Sequence, residues 1–528
     1  MSPSETVTGS SPVEASRKTG HKETSVLIIA VFVAGLCSIV YELLISTTSS
    51  YFLGDSVKQF SLTIGLYMAS MGSGAWLSRF IRGNLIRNFV FLEIGLGFLG
   101  GASVPLLYLC YSAAPDAYAV VMVALSLSIG LLIGFEIPLL TRILERYYSL
   151  KLNISNVLSI DYLGALIATL LFPFLLLPLF GTFRSSLIIG LINLSLGFLM
   201  LAFFGSKECG PSRRRLTLLN AATAVILLIL LIAAHVLTGF WSRSLYSDHV
   251  ILDQQSRYQK IVLTRYADDV RLFLNGNLQF SSRDEYRYHE SLVHVPMAAA
   301  PRHSNVLVLG GGDGLAIREL LKYPDISSIT LVDLDPAITQ LARKNPLLRA
   351  LNKGVLEHER VVIVHSDAMQ FLLDVPANSY NVILADLPDP NNVSLARLYS
   401  REFFNLVASR LTSDGVFATQ STSPYFARHA FWTIHRTLES SDFSFVLPYH
   451  VHVPSFGDWG FNLATKFPLS PDVFEIPDIA TRYLSQNMLP HLFHFSPDTD
   501  NPEGETVVST LDDPELMHAY LKGWNYWR

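Results

Sequence analysis

The chain has 528 residues, half of them hydrophobic and 16% charged, with a formal net charge of −5. That length exceeds one ordinary domain, and so small a net charge leaves no electrostatic footprint for a nucleic-acid partner, so none is expected. All three cysteines, Cys37, Cys110 and Cys209, fall in the apolar first half, which excludes a disulfide framework or a cysteine-based zinc site in the second.

Residues 1–24 are polar and read as an N-terminal tail, followed by an apolar run without the small-residue cleavage site of a signal peptide. Seven segments then have the length and apolarity to cross a bilayer, at roughly 25–47, 61–81, 89–112, 118–140, 157–180, 185–205 and 216–240. The expectation is a multi-pass helical membrane domain over 25–241, with the lipid bilayer as partner and the cell membrane as location. Basic residues cluster in alternate loops: Arg17, Lys18 and Lys22; Arg79, Arg82 and Arg87; Arg142, Arg146 and Lys151; Lys207 and Arg213–Arg215. This asymmetry puts the N-terminus in the cytoplasm. Seven crossings would then place residues 242–528 outside, against the cytosolic nucleoside chemistry argued below. Either one segment is re-entrant or the count is off by one, with 157–180 and its Pro173 and Pro178 the candidate. Glu42, Glu93, Glu136 and Asp161 lie within or near these segments, and acids at membrane depth suit either interfacial positions or a polar transport path.

Residues 242–249 form a polar connector. From 250 to 282 an alternating, β-branched pattern with turns at 267–269 and 275–277 predicts an antiparallel hairpin subdomain. The stretch 283–297 reads as a helix. Apolar strands at 305–309, 328–333, 361–365, 381–385 and near 415–420 then alternate with helical stretches. This βαβ series predicts an α/β, Rossmann-like doubly wound parallel sheet within 283–528, with a C-terminal extension to which no motif assigns a role.

Residues 306–320, VLVLGGGDGLAIREL, carry the most specific signal: strand, glycine turn, helix. A glycine loop that cradles an anion relies on free N–H groups. Asp313 inside this turn would repel an anion and suits a nucleoside bearing a cation. Gly310 and Gly312 let the backbone approach that ligand. Asp333 ends the second strand, where an acid hydrogen-bonds ribose hydroxyls. Asp367 follows the third strand, placed to accept from an adenine amino group, and Asp386 and Asp389 follow the fourth in ADLPDP. Each acid alone could cap a helix or fill a turn; four successive strands ending in acids describe a pocket for cations.

The ordered set YQKIVL (258–263), LFLNGNLQFSSRDEYRYHE (272–290), HVPM (294–297), GGGDG with IRE (310–319), LVDLDP (331–336), SDA (366–368) and DLPDP (386–390) resembles the spermidine synthase family of polyamine aminopropyltransferases, in its variants with an N-terminal membrane domain. The resemblance implies transfer of an aminopropyl group from decarboxylated S-adenosylmethionine, a co-substrate, to putrescine, giving spermidine and methylthioadenosine. It also implies roles. Gln259 and Asp333 hold the ribose end of the donor, Asp367 and Ala368 contact adenine, and Asp313 anchors the donor's ammonium. Tyr288 and His289 line the amine site, Asp386 accepts the amine proton, and Asp389 binds the acceptor's ammonium. No metal or resident cofactor is expected, because a sulfonium is already a good leaving group and what remains is alignment and deprotonation. The family's soluble members imply a homodimer or homotetramer formed through the hairpin subdomain. This chain departs from the pattern in VPSFGDWGF (453–461), where Phe456 replaces the usual tyrosine and Asp458 is the nearby candidate to compensate. The rival readings are another acceptor (cadaverine, agmatine or spermidine), a methyltransferase, whose donor carboxylate Asp313 disfavours, and a non-catalytic polyamine transporter or sensor.

Overall fold

The computed structural model describes residues 12–54, 56–145, 150–246, 248–502, 507–513 and 515–526. The chain divides into two compact units, Met1–Ser247 and Asp248–Arg528. Arg146 lies outside the described residues, as do Trp527, Arg528 and the side chains of Arg17, Lys18 and Lys151.

In the first unit the apolar runs all become helices, at Pro12–Leu53, Ser56–Leu77, Leu85–Ala113, Tyr118–Leu144, Leu150–Leu171, Leu177–Phe203 and Ser212–Leu245. The first begins inside the expected polar tail and the last runs through half of the expected connector. Among the described residues, five stretches are long and apolar enough to cross a membrane, and one of these, Ile154–Phe203, contains two of the expected segments. It is interrupted where the sequence is least helical. Pro173 sits in a π-helical turn, Phe172–Leu176, and Gly181 bends the chain at φ +67°. The helix Ser56–Leu77 is not among the five, since Lys58, Gln59 and a run of Ser and Gly dilute its apolarity. It packs closely on Tyr118–Leu144 through small residues: a Cβ at Gly130 would lie 2.9 Å from the Tyr67 carbonyl, and one at Gly134 would strike that of Met71.

Buried acids mark the interior of this unit. Glu93 Oε2 accepts a 2.6 Å hydrogen bond from Asn193 Nδ2, and Glu136 is likewise buried. Hydrogen bonds gather the basic loops at one end of the helices. Arg142 donates to the carbonyls of Ser78 (3.2 Å) and Ile81 (3.1 Å), and Asn84 donates to the carbonyl of Glu208. Lys207 lies 3.7 Å from Glu23.

The second unit opens with a four-stranded antiparallel sheet, β1 (His249–Gln255), β2 (Lys260–Tyr266), β3 (Asp269–Leu274) and β4 (Asn277–Ser281), in sequential order. The helix Glu285–Ala299 follows. A seven-stranded sheet then comprises β5 (Asn305–Gly310), β6 (Ser328–Asp333), β7 (Val361–His365), β8 (Tyr380–Asp386), β9 (Leu411–Gln420), β10 (Phe445–Val453) and β11 (Gly457–Thr465). Its order is β10-β11-β9-β8-β5-β6-β7, with β5 to β9 parallel and the β10–β11 hairpin antiparallel. Successive residues enter opposite cores. Val306, Val308, Val382 and Leu384 pack on the side that holds Leu292 and Val295 of the helix Glu285–Ala299, while Leu307, Leu309, Ile383 and Ala385 pack with Phe403, Phe404 and Leu372. A parallel sheet covered on both faces reads as continuous apolar runs, which is why these strands were visible in the sequence.

Candidate active site

Because β5 to β8 are parallel and adjacent, their carboxyl ends lie along one edge of the sheet. Gly310 is in register with Asp386, and Asp333 with His365. This edge is where doubly wound folds bind their ligands.

The glycine turn after β5 runs directly over the acids. Gly310 and Gly311 have φ of +79° and +67°, the left-handed region that side chains resist. A Cβ on Gly311 would lie 2.8 Å from Asp386 Oδ2, and one on Gly312 would strike the Asp333 carboxylate. In return, Gly312 N–H donates to Asp333 Oδ2 at 3.0 Å and Asp335 N–H to Asp333 Oδ1 at 2.8 Å. Burial raises the Asp333 carboxyl to a pKa of about 6. Asp313 accepts from Leu315 N–H at 2.9 Å, and its carbonyl accepts from Asn352 at 2.8 Å. Burial lifts its pKa to about 6 as well, opposed by the charge of His289 and helped by that of Asp386.

The helix Glu285–Ala299 presents two neighbours to this edge. Tyr288 donates a 2.6 Å hydrogen bond to Asp386 Oδ1. His289 Nδ1 lies 2.8 Å from Glu285 Oε2, and Arg318 makes a two-pronged contact with the same carboxylate at 2.8 and 2.9 Å. Burial alone would lower the pKa of His289, but Glu285 outweighs it and raises the imidazole to about 9. Asp389 has both oxygens engaged, Oδ1 by Gln420 Nε2 at 3.2 Å and Oδ2 by the Tyr520 hydroxyl at 3.0 Å. Burial raises its pKa to about 6 despite these donors. Gln420 Nε2 also reaches the Leu387 carbonyl at 2.7 Å and so ties β9 to the DLPDP loop.

Tyr288, His289, Asp313, Asp386 and Asp389 are thus linked through hydrogen bonds or mutual electrostatics, with Asp333 beneath the glycine loop. Two expected donor-site residues have other partners here. Gln259 donates to Asp335 Oδ2 at 3.1 Å, alongside Ser256 at 2.6 Å. Asp335, passed over in the sequence, also caps the helix Pro336–Lys344, the signature of an aspartate before a proline. Asp367 caps the helix Ala368–Asp374, accepting from Met369 and Gln370 N–H at 3.1 and 3.2 Å, and its other oxygen is paired with Arg397. Ala368 is buried at the start of that helix. Asp458, the candidate to compensate for the tyrosine that Phe456 replaces, lies 2.7 Å from His450 Nδ1 through its Oδ1. Phe456 meets Tyr288 edge-on at 6.2 Å, on a turn fixed by Ser455 N–H and Oγ donating to Asp284 at 2.6 and 2.9 Å. Glu285, Arg318, Gln420 and Tyr520 were missed; Glu285 and Arg318 lie within the segments 272–290 and 317–319 that carried a signal, and Gln420 and Tyr520 lie in none. Among the described residues no three His, Cys, Asp or Glu side chains group as metal ligands would.

Residues 285–471 match the family profile described as spermine/spermidine synthase domain. The polyamine aminopropyltransferase of Leptospira interrogans is 41% identical over 502 residues, 94% of this chain and 98% of that protein. The enzyme of the same name from Oceanobacillus iheyensis is 42% identical over 505 residues, covering 94% and 96%. Polyamine aminopropyltransferase 1 of Ralstonia nicotianae is 39% identical over 525 residues, covering 97% and 98%. These similarities run through the helical unit as well as the sheet. With the strand-end acids and the glycine loop seated on them, they make the chain a member of the polyamine aminopropyltransferase family.

Proposed function

We propose that the protein transfers an aminopropyl group from decarboxylated S-adenosylmethionine to putrescine, giving spermidine and methylthioadenosine, and does so as a multi-pass protein of the cell membrane. The observation that carries the reading is Asp386 held by Tyr288, with two buried carboxyls of raised pKa, Asp313 and Asp389, at the same sheet edge. Such carboxyls lose their desolvation penalty when a cation arrives, which is what a charged donor and a diamine supply.

In this reading Asp313 receives the donor's ammonium and Asp389 the distal ammonium of the acceptor. Asp333 and Gln259, with Asp367 and Ala368, form the nucleoside end. The acceptor nitrogen attacks the carbon bound to the sulfonium. A C–N bond forms as the C–S bond breaks, its electron pair passing to sulfur, and the amine proton passes to Asp386. Tyr288 occupies Oδ1 of that carboxylate and leaves Oδ2 to take the proton. An amine with a pKa near that of lysine is charged at neutral pH, so a base adjacent to the attacking nitrogen is needed. His289, kept cationic by Glu285, balances the negative charge between Asp313 and Asp386. A homodimer or homotetramer through the β1–β4 sheet belongs to the same reading and is checked by sizing the detergent complex.

A different acceptor is the second reading. Phe456 offers no hydroxyl, and Asp458 is committed to His450, so the acceptor pocket differs where it would select its amine. The experiment uses full-length protein in detergent, decarboxylated S-adenosylmethionine and a panel of amines, with product followed by mass spectrometry. Spermidine from putrescine, reduced about 10²–10⁴-fold in Asp386→Asn, supports the first reading. Preference for another amine moves the acceptor, and no product with any amine refutes both.

A further inference from the structure

One end of the helical unit holds a cavity of about 610 Å³ with two kinds of wall. Its lining brings together Arg82, Arg87 and Arg215 with Phe91, Leu132 and Phe135. The three arginines come from basic clusters more than 120 residues apart, which Asn84 and Glu208 tie together. Among the described residues, no ion pair or hydrogen bond engages any of the three guanidinium groups. Phe91 is 63% exposed, so the apolar wall opens outward. Beside it, Arg79 lies over the rings of Trp76 (4.1 Å) and Phe80 (4.7 Å), both largely exposed. Exposed tryptophan with arginine at a helix end is the pattern of a membrane–water boundary.

We propose that this cavity binds an anionic phospholipid, its phosphate among Arg82, Arg87 and Arg215 and an acyl chain along Phe91, Leu132 and Phe135. Three cations with no counter-ion among the described residues, beside exposed apolar surface, match an amphiphile with a charged head and a hydrocarbon tail. A soluble nucleotide or free phosphate would satisfy the arginines and leave the apolar wall wet. The proposal rests on the membrane reading above and adds a ligand to it.

The test is native mass spectrometry of the full chain in mild detergent, incubated with phosphatidylglycerol or with phosphatidylcholine of the same chain lengths. The wild type is expected to retain phosphatidylglycerol preferentially. The combined Arg82→Gln, Arg87→Gln and Arg215→Gln variant should lose that preference by about tenfold or more, while Arg213→Gln with Arg214→Gln, outside the cavity lining, keeps it. Aminopropyl transfer by the triple variant in detergent serves as the check that it folds. Equal retention of both lipids, or unchanged retention in the triple variant, overturns the proposal. Displacement of the lipid by millimolar inorganic phosphate would make this a phosphate site and overturn the lipid assignment. Recovery of the chain from cells without detergent, in the soluble fraction, would sink the membrane reading itself; membrane recovery with no lipid preference would sink only this inference.

Discussion

The buried carboxyls at the sheet edge predict an acid limb in the pH profile far above the usual carboxylate range. Asp313 and Asp389 both have pKa values raised to about 6 by burial. If each must be ionised to receive an ammonium, the fraction of free enzyme with both ionised falls about 100-fold between pH 7 and pH 5. Two carboxyls at the ordinary value of about 3.9 would lose only about 1.2-fold over that interval. The substrates' own amines, with pKa values near that of lysine, stay charged throughout, so the limb belongs to the protein. The assay is kcat/KM for the amine by product mass spectrometry, at limiting and at saturating donor. Saturating donor holds Asp313 ionised, and the loss from Asp389 alone should shrink to about tenfold. In Asp389→Asn the acceptor KM rises and that remaining limb disappears. A profile flat to pH 5, or a limb unchanged in Asp389→Asn, would refute the assignment of the two carboxyls as ammonium sites.

Tyr520→Phe removes one of the donors that hold the Asp389 carboxylate. Its acceptor KM should rise several-fold with the donor KM unchanged, and its acid limb should move to higher pH, since that hydrogen bond lowers the pKa of Asp389; equal changes for both substrates would reduce Tyr520 to a packing residue. His289, with a folded pKa of about 9 against 6.5, contributes about 3 kcal/mol of stability, present in full below pH 6.5 and lost as the pH rises through 9. Thermal unfolding of the detergent-solubilised protein should show this loss in the wild type and not in His289→Asn. Glu93→Gln and Glu136→Gln, in the helical unit, should leave initial rates of aminopropyl transfer unchanged; a tenfold drop would tie the buried acids of that unit to catalysis.

The legibility of the fold followed local chemistry. The strands β5 to β8 were apparent within a residue or two, because strands buried on both faces are unbroken apolar runs. The β10–β11 hairpin was not read as strand. Pro448 interrupts FVLPYHVHV, and proline argues against a strand unless it lies at an edge, which is where the sheet puts β10. The acids at the strand ends could be read because each ends its strand or lies within a few residues of that end. The partners of Asp389 could not: Gln420 lies 31 residues away and Tyr520 lies 131, in an extension with no recognisable motif. Asp335 was hidden for the opposite reason, since a helix cap gave it an adequate local explanation. In the helical unit, length and apolarity located the helices but could not say which of them crosses a bilayer, and Ser56–Leu77 leans on its neighbour through glycine contacts that hydropathy does not register.

Gly311 and Gly312 act on the site as a gauge. The spacing between the Asp386 carboxylate and that of Asp333 is set by main chain laid between them, with no room for a methyl group. Phe456 and Tyr520, by contrast, arrive from a hairpin turn and a terminal helix. On the proposed roles, geometry for the displacement and choice of amine would therefore lie in separate parts of the chain. Drift in the turn or the last helix would then exchange one acceptor for another while the sulfonium and the base stay in line, whereas a single added carbon in the loop would press on the Asp386 or Asp333 carboxylate and be felt with every amine.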